Sequence, residues 1–464
     1  MPAMRAFLAS LILSLVPLAA RAQPPSLDGL LGGAPRVESL PNGLRVVLVP
    51  WASPGIVAYY SLVRVGSRDE VEAGHTGFAH FFEHMMFRGT EAHSGDEYAA
   101  LLNGVGADGN AFTTSDYTCY TIVAPSTALP LLVELEADRF QHLSYAEPAF
   151  RTEAGAVRGE YQVWSSDPSQ PMWEALGELA FRAHTYRHTT IGYLADVEAM
   201  PGYYEYSRDF FRRFYTPDDV TLIVVGDFDG DALLGLVRER YGSWRGRRAR
   251  SEVPAEPEPT EGGRRDLTWS GPVSPQMYVG WRTPAFVAEG RGRGAAAARA
   301  ASLRDTAALQ LVYLYAFAES APLYQRLVVS ERQALDLSTG LGEQSRDPGL
   351  FLVMAELTEA GTFDGLLAAL QAELDAIGRG EIDAARLATA RSHLFGSMVM
   401  ALETPASVAG FLAGHLAVAP DLDAVRAYLG ALAEVGVEDV ARVARQYLTA
   451  SRRFTVTMSP GGAS

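Results

Sequence analysis

Two histidines four residues apart, His80 and His84, enclose a glutamate, Glu83, within the segment Gly74-His75-Thr76-Gly77-Phe78-Ala79-His80-Phe81-Phe82-Glu83-His84-Met85-Met86-Phe87-Arg88-Gly89. The segment reads as one helix, with Thr76 available as N-cap and Gly89 as the C-terminal stop. On such a helix both imidazoles project from one face and can reach a single cation. Glu83, three residues from His80, sits beside that site. It is badly placed to be a third ligand in the same turn and well placed to take a proton from a metal-bound water. Neutral imidazole suits zinc, and zinc brings the pKa of its water down to about 7. The inverted H-x-x-E-H pattern therefore predicts metal-assisted hydrolysis. Two histidines on an ordinary core or surface helix are the alternative.

The motif also dictates folding, because the third ligand must come from elsewhere in the chain. Glu160 lies 76 residues beyond His84, in EPAFRTEAGAVRGEYQVW. Pro148 suits a first helical turn there, and Phe150, Ala154, Val157, Tyr161 and Trp164 form an apolar stripe at helical spacing. Glu153 precedes Glu160 by two turns, so both carboxylates lie near one face. One can bind metal while the other orients a ligating histidine. Periodicity leaves open which does which.

The chain has 464 residues, a formal charge of −16, 48% hydrophobic and 20% charged residues. That is a globular composition, and it excludes disordered, collagen-like and multi-span membrane classes. The acidic balance argues against a nucleic-acid partner. The one basic cluster, Arg245 to Arg250, lies beside a Pro/Glu stretch and reads as a solvated linker. Residues 1–22 place Arg5 before an apolar run from Ala6 to Ala20 and end in Ala20-Arg21-Ala22. They read as a secretory signal removed after Ala22, which implies a periplasmic protein without a stable membrane span. The single cysteine, Cys119, forms no internal disulfide and reads as a packed thiol in a buried strand.

From Arg36 to Trp244 strand-like and helix-like segments alternate: GLRVVLVP, IVAYYSLVRV, the helix around His80, DYTCYTIVAP, several helices, then DVTLIVVGDFD. After the Pro/Glu/Gly/Arg-rich interval the theme returns in QMYVGWRTP, a long Ala/Leu helix near Ala295 to Glu319, LFLVMAELT, the helix Thr362 to Gly378 and RRFTVTMSP. The order predicts an α+β fold of two similar domains related by duplication. Their expected bounds are 23–245, which carries the candidate zinc site, and 266–464, joined by a linker at 246–265.

These features together resemble the pitrilysin family of zinc peptidases, to which insulin-degrading enzyme and the mitochondrial processing peptidase belong. The resemblance covers GHTGFAHFFEHMMFRGT, the following Asn103-Gly104-Val105-Gly106-Ala107-Asp108-Gly109-Asn110-Ala111-Phe112-Thr113-Thr114, the Glu153 and Glu160 helix, and the closing strand of each half. It implies that His80, His84 and Glu160 bind one zinc ion per chain, that Glu83 is the general base, and that Glu153 supports a ligand. It further implies that the strand at Asn110 and Ala111 accepts an extended peptide as an added strand. Each domain is then a mostly antiparallel sheet packed by helices, and the pair forms half of a clam-shell chamber.

Self-sufficient members of the family carry an Arg and a Tyr, seven residues apart, that hold the substrate carbonyl and the developing oxyanion. Here those positions align with Val328 and Leu335, which cannot donate hydrogen bonds; Tyr324, Arg326 and Arg332 are nearby but out of phase. A related partner subunit supplying the pair, in a heterodimer, is therefore expected. The leading expectation is a periplasmic zinc endopeptidase subunit that cleaves unfolded peptides. The alternatives are a non-catalytic structural member and a peptide-binding module without turnover.

Overall fold

The computed structural model describes residues 25–288, 292, 294–341 and 344–461, so the expected signal segment 1–22 lies outside the described residues. Strands β1 (Arg36–Ser39), β2 (Arg45–Pro50), β3 (Ile56–Val63), β4 (Asp108–Thr113), β5 (Thr118–Pro125) and β6 (Val220–Gly226) form one sheet in the order β1-β2-β6-β3-β5-β4. Strands β7 (Gly263–Trp269), β8 (Gln276–Arg282), β9 (Ala334–Leu341), β10 (Leu350–Leu357) and β11 (Arg453–Pro460) form a second, in the order β7-β11-β8-β10-β9.

The two sheets repeat one plan. The closing strand of each sheet forms its one parallel pair among the described strands, β6 beside β2 and β11 beside β7, and the other pairings are antiparallel. Removing β1 leaves five strands in the same spatial order and directions, so β4 and β9 occupy equivalent edges. The α+β expectation and its duplication are met at the level of topology.

The apolar runs of the central strands follow from burial on both faces. Val46 and Leu48 of β2, Val57, Tyr59 and Val63 of β3, and Leu222 and Val224 of β6 point into a core shared with the helix Phe78–Met85. Their neighbours Val47, Val49, Ala58, Tyr60, Leu62, Ile223 and Val225 point the other way, into a core built largely from the second half of the chain. The helix Pro405–Val418 covers that face by packing on β3 and β6. The exchange is mutual. The helix Ser169–Ala180 of the first half sets Met172, Ala175 and Leu176 against Tyr278 of β8 and Phe454, Val456 and Met458 of β11. Each half thus supplies a helix to the other's sheet.

Charge reinforces this junction. Arg68 reaches Asp347 of the β9–β10 loop at 2.5 Å, and His184 meets the same carboxylate at 3.1 Å. Tyr186 donates to Asp116, which also accepts from the Arg346 N–H at 2.9 Å. In the basic cluster Arg245, Arg247 and Arg250 are exposed, as expected of a solvated linker, but Arg248 is largely buried, bonded to Asp69 at 2.7 Å and to Asp219. Residues 244–259 contain no helix or strand, yet Glu256 accepts backbone N–H groups of Arg182, Ala183 and His184 at 2.7–2.9 Å. The interval is a fastened strap, and β7 begins at Gly263, inside the expected linker. No single described helix is long and apolar enough to cross a membrane. Cys119 is buried in β5, where burial raises its thiol pKa.

Candidate metal centre

The helix that carries His80 and His84 spans Phe78–Met85, shorter at both ends than the motif predicts. Thr76 is not its N-cap. The Thr76 hydroxyl donates to Asp196 at 2.6 Å and accepts the Tyr193 N–H at 2.8 Å, which fixes the preceding loop. Gly77 takes the N-cap position at φ 91°, where a Cβ would come within 2.6 Å of the Ile191 carbonyl oxygen. The helix stops at Met85, four residues before Gly89, whose φ of 108° belongs to the next turn.

Phe78, Phe81, Phe82 and Met85 bury one side of this helix completely. The Glu147–Trp164 helix packs alongside it, with the Phe81 and Phe150 rings edge to face at 5.1 Å and Ala154 and Val157 buried behind. This packing carries Glu160, two turns past Glu153, to the histidines. His84 Nε2 lies 3.3 Å from His80 Nε2 and 3.3 Å from Glu160 Oε2, and His80 Nε2 is 3.6 Å from the same oxygen. Zinc–ligand bonds of about 2.0–2.1 Å at tetrahedral angles separate donors by about 3.4 Å. The two nitrogens and one oxygen therefore already stand at the spacing a zinc ion requires, and they are the one such group found among the described residues.

The surroundings divide the work. Glu153, 2% exposed and paired with Arg88, accepts from His84 Nδ1 at 2.9 Å, which turns Nε2 toward Glu160. Glu160 thus faces the Nε2 atoms of both histidines, whereas Glu153 meets Nδ1 of His84. Burial opposes ionisation of Glu153, but His84 and Arg88 outweigh it and hold the carboxyl below its usual pKa. Burial lowers His80 to about 4, which favours neutral imidazole with a free lone pair. His84, bonded by Glu153 and then Glu160, is raised to about 9. His80 Nδ1 is buried without a partner among the described residues, and its ring lies 5.9 Å from that of Trp164.

Glu83 is held from the other side. Its carboxylate accepts the Thr113 hydroxyl of β4 at 2.7 Å. Burial raises its pKa, and the Thr113 bond partly offsets that. Strand β4 ends the sheet order, so one of its edges is unpaired among the described strands. Asn110 is exposed and Ala111 is buried, and the Ala111 N–H donates to Asn110 Oδ1 at 2.9 Å. The positions aligned with Arg and Tyr lie in a π-helical turn, Gln325–Ser330, and in β9; Val328 is half-buried and Leu335 is 54% exposed. Glu70 was not singled out by sequence spacing. Its carboxylate binds the N–H groups at the start of the helix of His80 and His84.

Comparison with known proteins agrees with the site and fold. Residues 53–193 match the model described as Insulinase (Peptidase family M16), and 204–394 match the Peptidase M16 inactive domain. An uncharacterized zinc protease of Mycobacterium tuberculosis is 31% identical over 92% of this chain and 94% of its own length. Zinc protease PqqE of Helicobacter pylori is 27% identical over 92% and 93%. A protease structure from Helicobacter pylori superposes with a TM-score of 0.83 at 26% identity, covering 92% of this chain and 99% of that one. The periplasmic protease PqqL of Escherichia coli shares the fold at a TM-score of 0.71 and 19% identity, covering 94% of this chain but 48% of that one. The chain belongs to peptidase family M16, as its motifs led us to expect.

Proposed function

We propose that this chain is a periplasmic zinc metallopeptidase subunit that hydrolyses unfolded peptides, and that a related partner chain completes its active site. The observation that carries the reading is the convergence of His80 Nε2, His84 Nε2 and Glu160 Oε2 at tetrahedral donor spacing, with Glu83 alongside. In this reading His80, His84 and Glu160 hold one zinc ion, Glu153 fixes the ring orientation and tautomer of His84, and residues 23–245 and 266–464 act as the two domains, the second extended back to Gly263 by β7.

Zinc, when bound, supplies a Lewis acid that polarises a carbonyl and acidifies water. The remaining work falls to the chain. An extended peptide pairs with the open edge of β4 near Asn110 and Ala111, which aligns its backbone without reading its sequence. Glu83 takes a proton from the attacking water and returns it to the departing nitrogen. Thr113 keeps the Glu83 carboxylate turned toward the strand on which the peptide lies. Val328 and Leu335 offer no hydrogen-bond donor to the oxyanion, so an Arg and a Tyr from a partner supply that stabilisation. Likeness to about half of PqqL fits a chain that forms one half of a larger chamber.

Hydrolysis of a quenched peptide tests the proposal. The expected result is slow turnover by the lone chain, faster turnover with a co-encoded family member bearing the Arg/Tyr pair, and a loss of about 10²–10⁴-fold in Glu83→Gln. Full activity from the lone chain defeats the partner, and undiminished activity in Glu83→Gln defeats the peptidase reading.

A further inference from the structure

We propose that Glu70 is a positioning residue for the zinc site, setting the seat of the metal-bearing helix through that helix's first backbone amides. The inference rests on the zinc reading above and adds a residue to it. A helix leaves its first N–H groups without internal partners, and Gly77 has no side chain to satisfy them. Glu70 takes that role from outside. Its Oε2 accepts the Gly77 N–H at 2.8 Å and its Oε1 accepts the Ala79 N–H at 2.7 Å. Two oxygens on two amides that flank Phe78 fix both the position and the rotation of the first turn, immediately before His80.

The carboxylate is an expensive group to place here. Glu70 is 3% exposed, and the one basic side chain within ion-pair distance among the described residues is His188, at 3.9 Å. His188 is itself buried and lies 3.1 Å from the Thr189 carbonyl oxygen. No permanent cation stands beside it, and burial pushes its carboxyl well above the usual carboxylate range, which the Ala79 and Gly77 amides only partly oppose. A core position with only a packing role has no need of a polar group aimed at two amides.

Glu70 also joins the helix to the peptide-binding edge. It follows the turn Ser67–Asp69, whose Arg68 N–H donates to the Ser115 carbonyl at 2.8 Å, just beyond β4. At its near end β4 contributes the Thr113 bond to Glu83. One tether therefore sets the helix from its N-terminus and another from its catalytic face, both referred to the same strand. Constellations of this kind need positioning to about 0.5 Å.

The test is zinc binding by competition with a chromophoric chelator, together with the cobalt(II) absorption spectrum, for wild type, Glu70→Gln and Glu70→Ala. Glu70→Ala is expected to weaken zinc binding about 10- to 100-fold and to alter the cobalt bands that report ligand geometry. Glu70→Gln retains one acceptor oxygen but faces the second amide with an NH₂ group, so its loss is intermediate; it carries the test alone if Glu70→Ala does not fold. Zinc affinity within twofold of wild type and an unaltered cobalt spectrum in the folded variants, even with a lowered Tm, would overturn the proposal. A wild type that binds zinc without cleaving peptides removes the peptidase reading and leaves this comparison intact. A wild type that binds no zinc overturns both.

Discussion

The Thr113 hydroxyl donates to the Glu83 carboxylate across 2.7 Å, so the edge strand and the helix of His80 and His84 meet at the proposed general base. A hydrogen bond to a charged group contributes roughly 1.5–3 kcal/mol. Thr113→Val keeps the side-chain shape and removes the donor. Its kcat is expected to fall about 10-fold or more at unchanged zinc content, measured by steady-state hydrolysis and metal analysis. An unchanged kcat would show that the bond does not orient the base.

In the proposed mechanism Glu153 acts through His84 rather than on substrate. Removing it leaves Nδ1 of His84 and the guanidinium of Arg88 without their shared partner. Glu153→Ala is expected to weaken zinc binding about 10- to 100-fold, whereas Glu153→Gln, which can still accept from Nδ1, loses less. Chelator competition gives both constants. Equal loss in the two variants would show that charge, not ring orientation, is what Glu153 provides.

The junction of the halves carries a pH signature. Burial raises the pKa of Asp347, but bonds from His184 and Arg68 outweigh it and hold the carboxyl well below its usual range. A carboxyl depressed on folding adds stability that is complete above its unfolded pKa, about 3.9, and is lost as pH falls through the folded value. Asp347→Asn leaves Arg68, 12% exposed, without its closest carboxylate. It is expected to cost roughly 3 kcal/mol at pH 7, with the deficit shrinking below pH 4. Denaturant midpoints between pH 3 and 7 measure it, and a deficit independent of pH would contradict this origin.

Leu412 is fully buried in the helix that the second half lays on β3 and β6. Leu412→Ala is expected to destabilise by about 2–5 kcal/mol and to lower one shared unfolding transition. Two separated transitions in calorimetry would show that the halves unfold independently.

What could be read from sequence was whatever a local period encodes. His80, Glu83 and His84 share a helix face by spacing alone, and the stripe from Phe150 to Tyr161 marks the inner side of the Glu160 helix. The central strands β2, β3 and β6 were legible because burial on both faces makes them continuous apolar runs. β9 was not, because an edge strand exposing Leu335, Asp336 and Ser338 has little apolar pattern to read. Arg248 looked solvated because its partner Asp69 stands 179 positions away, and Glu70 had no local sign of the amides it binds. Such pairings are decided by tertiary packing.

The account turns on three donors sharing one ion, and equilibrium zinc titration of the purified chain measures that directly. It predicts one tightly bound zinc per wild-type chain, with binding lost in His80→Ala and His84→Ala and severely weakened in Glu160→Ala. Wild-type zinc affinity in Glu160→Ala would contradict it.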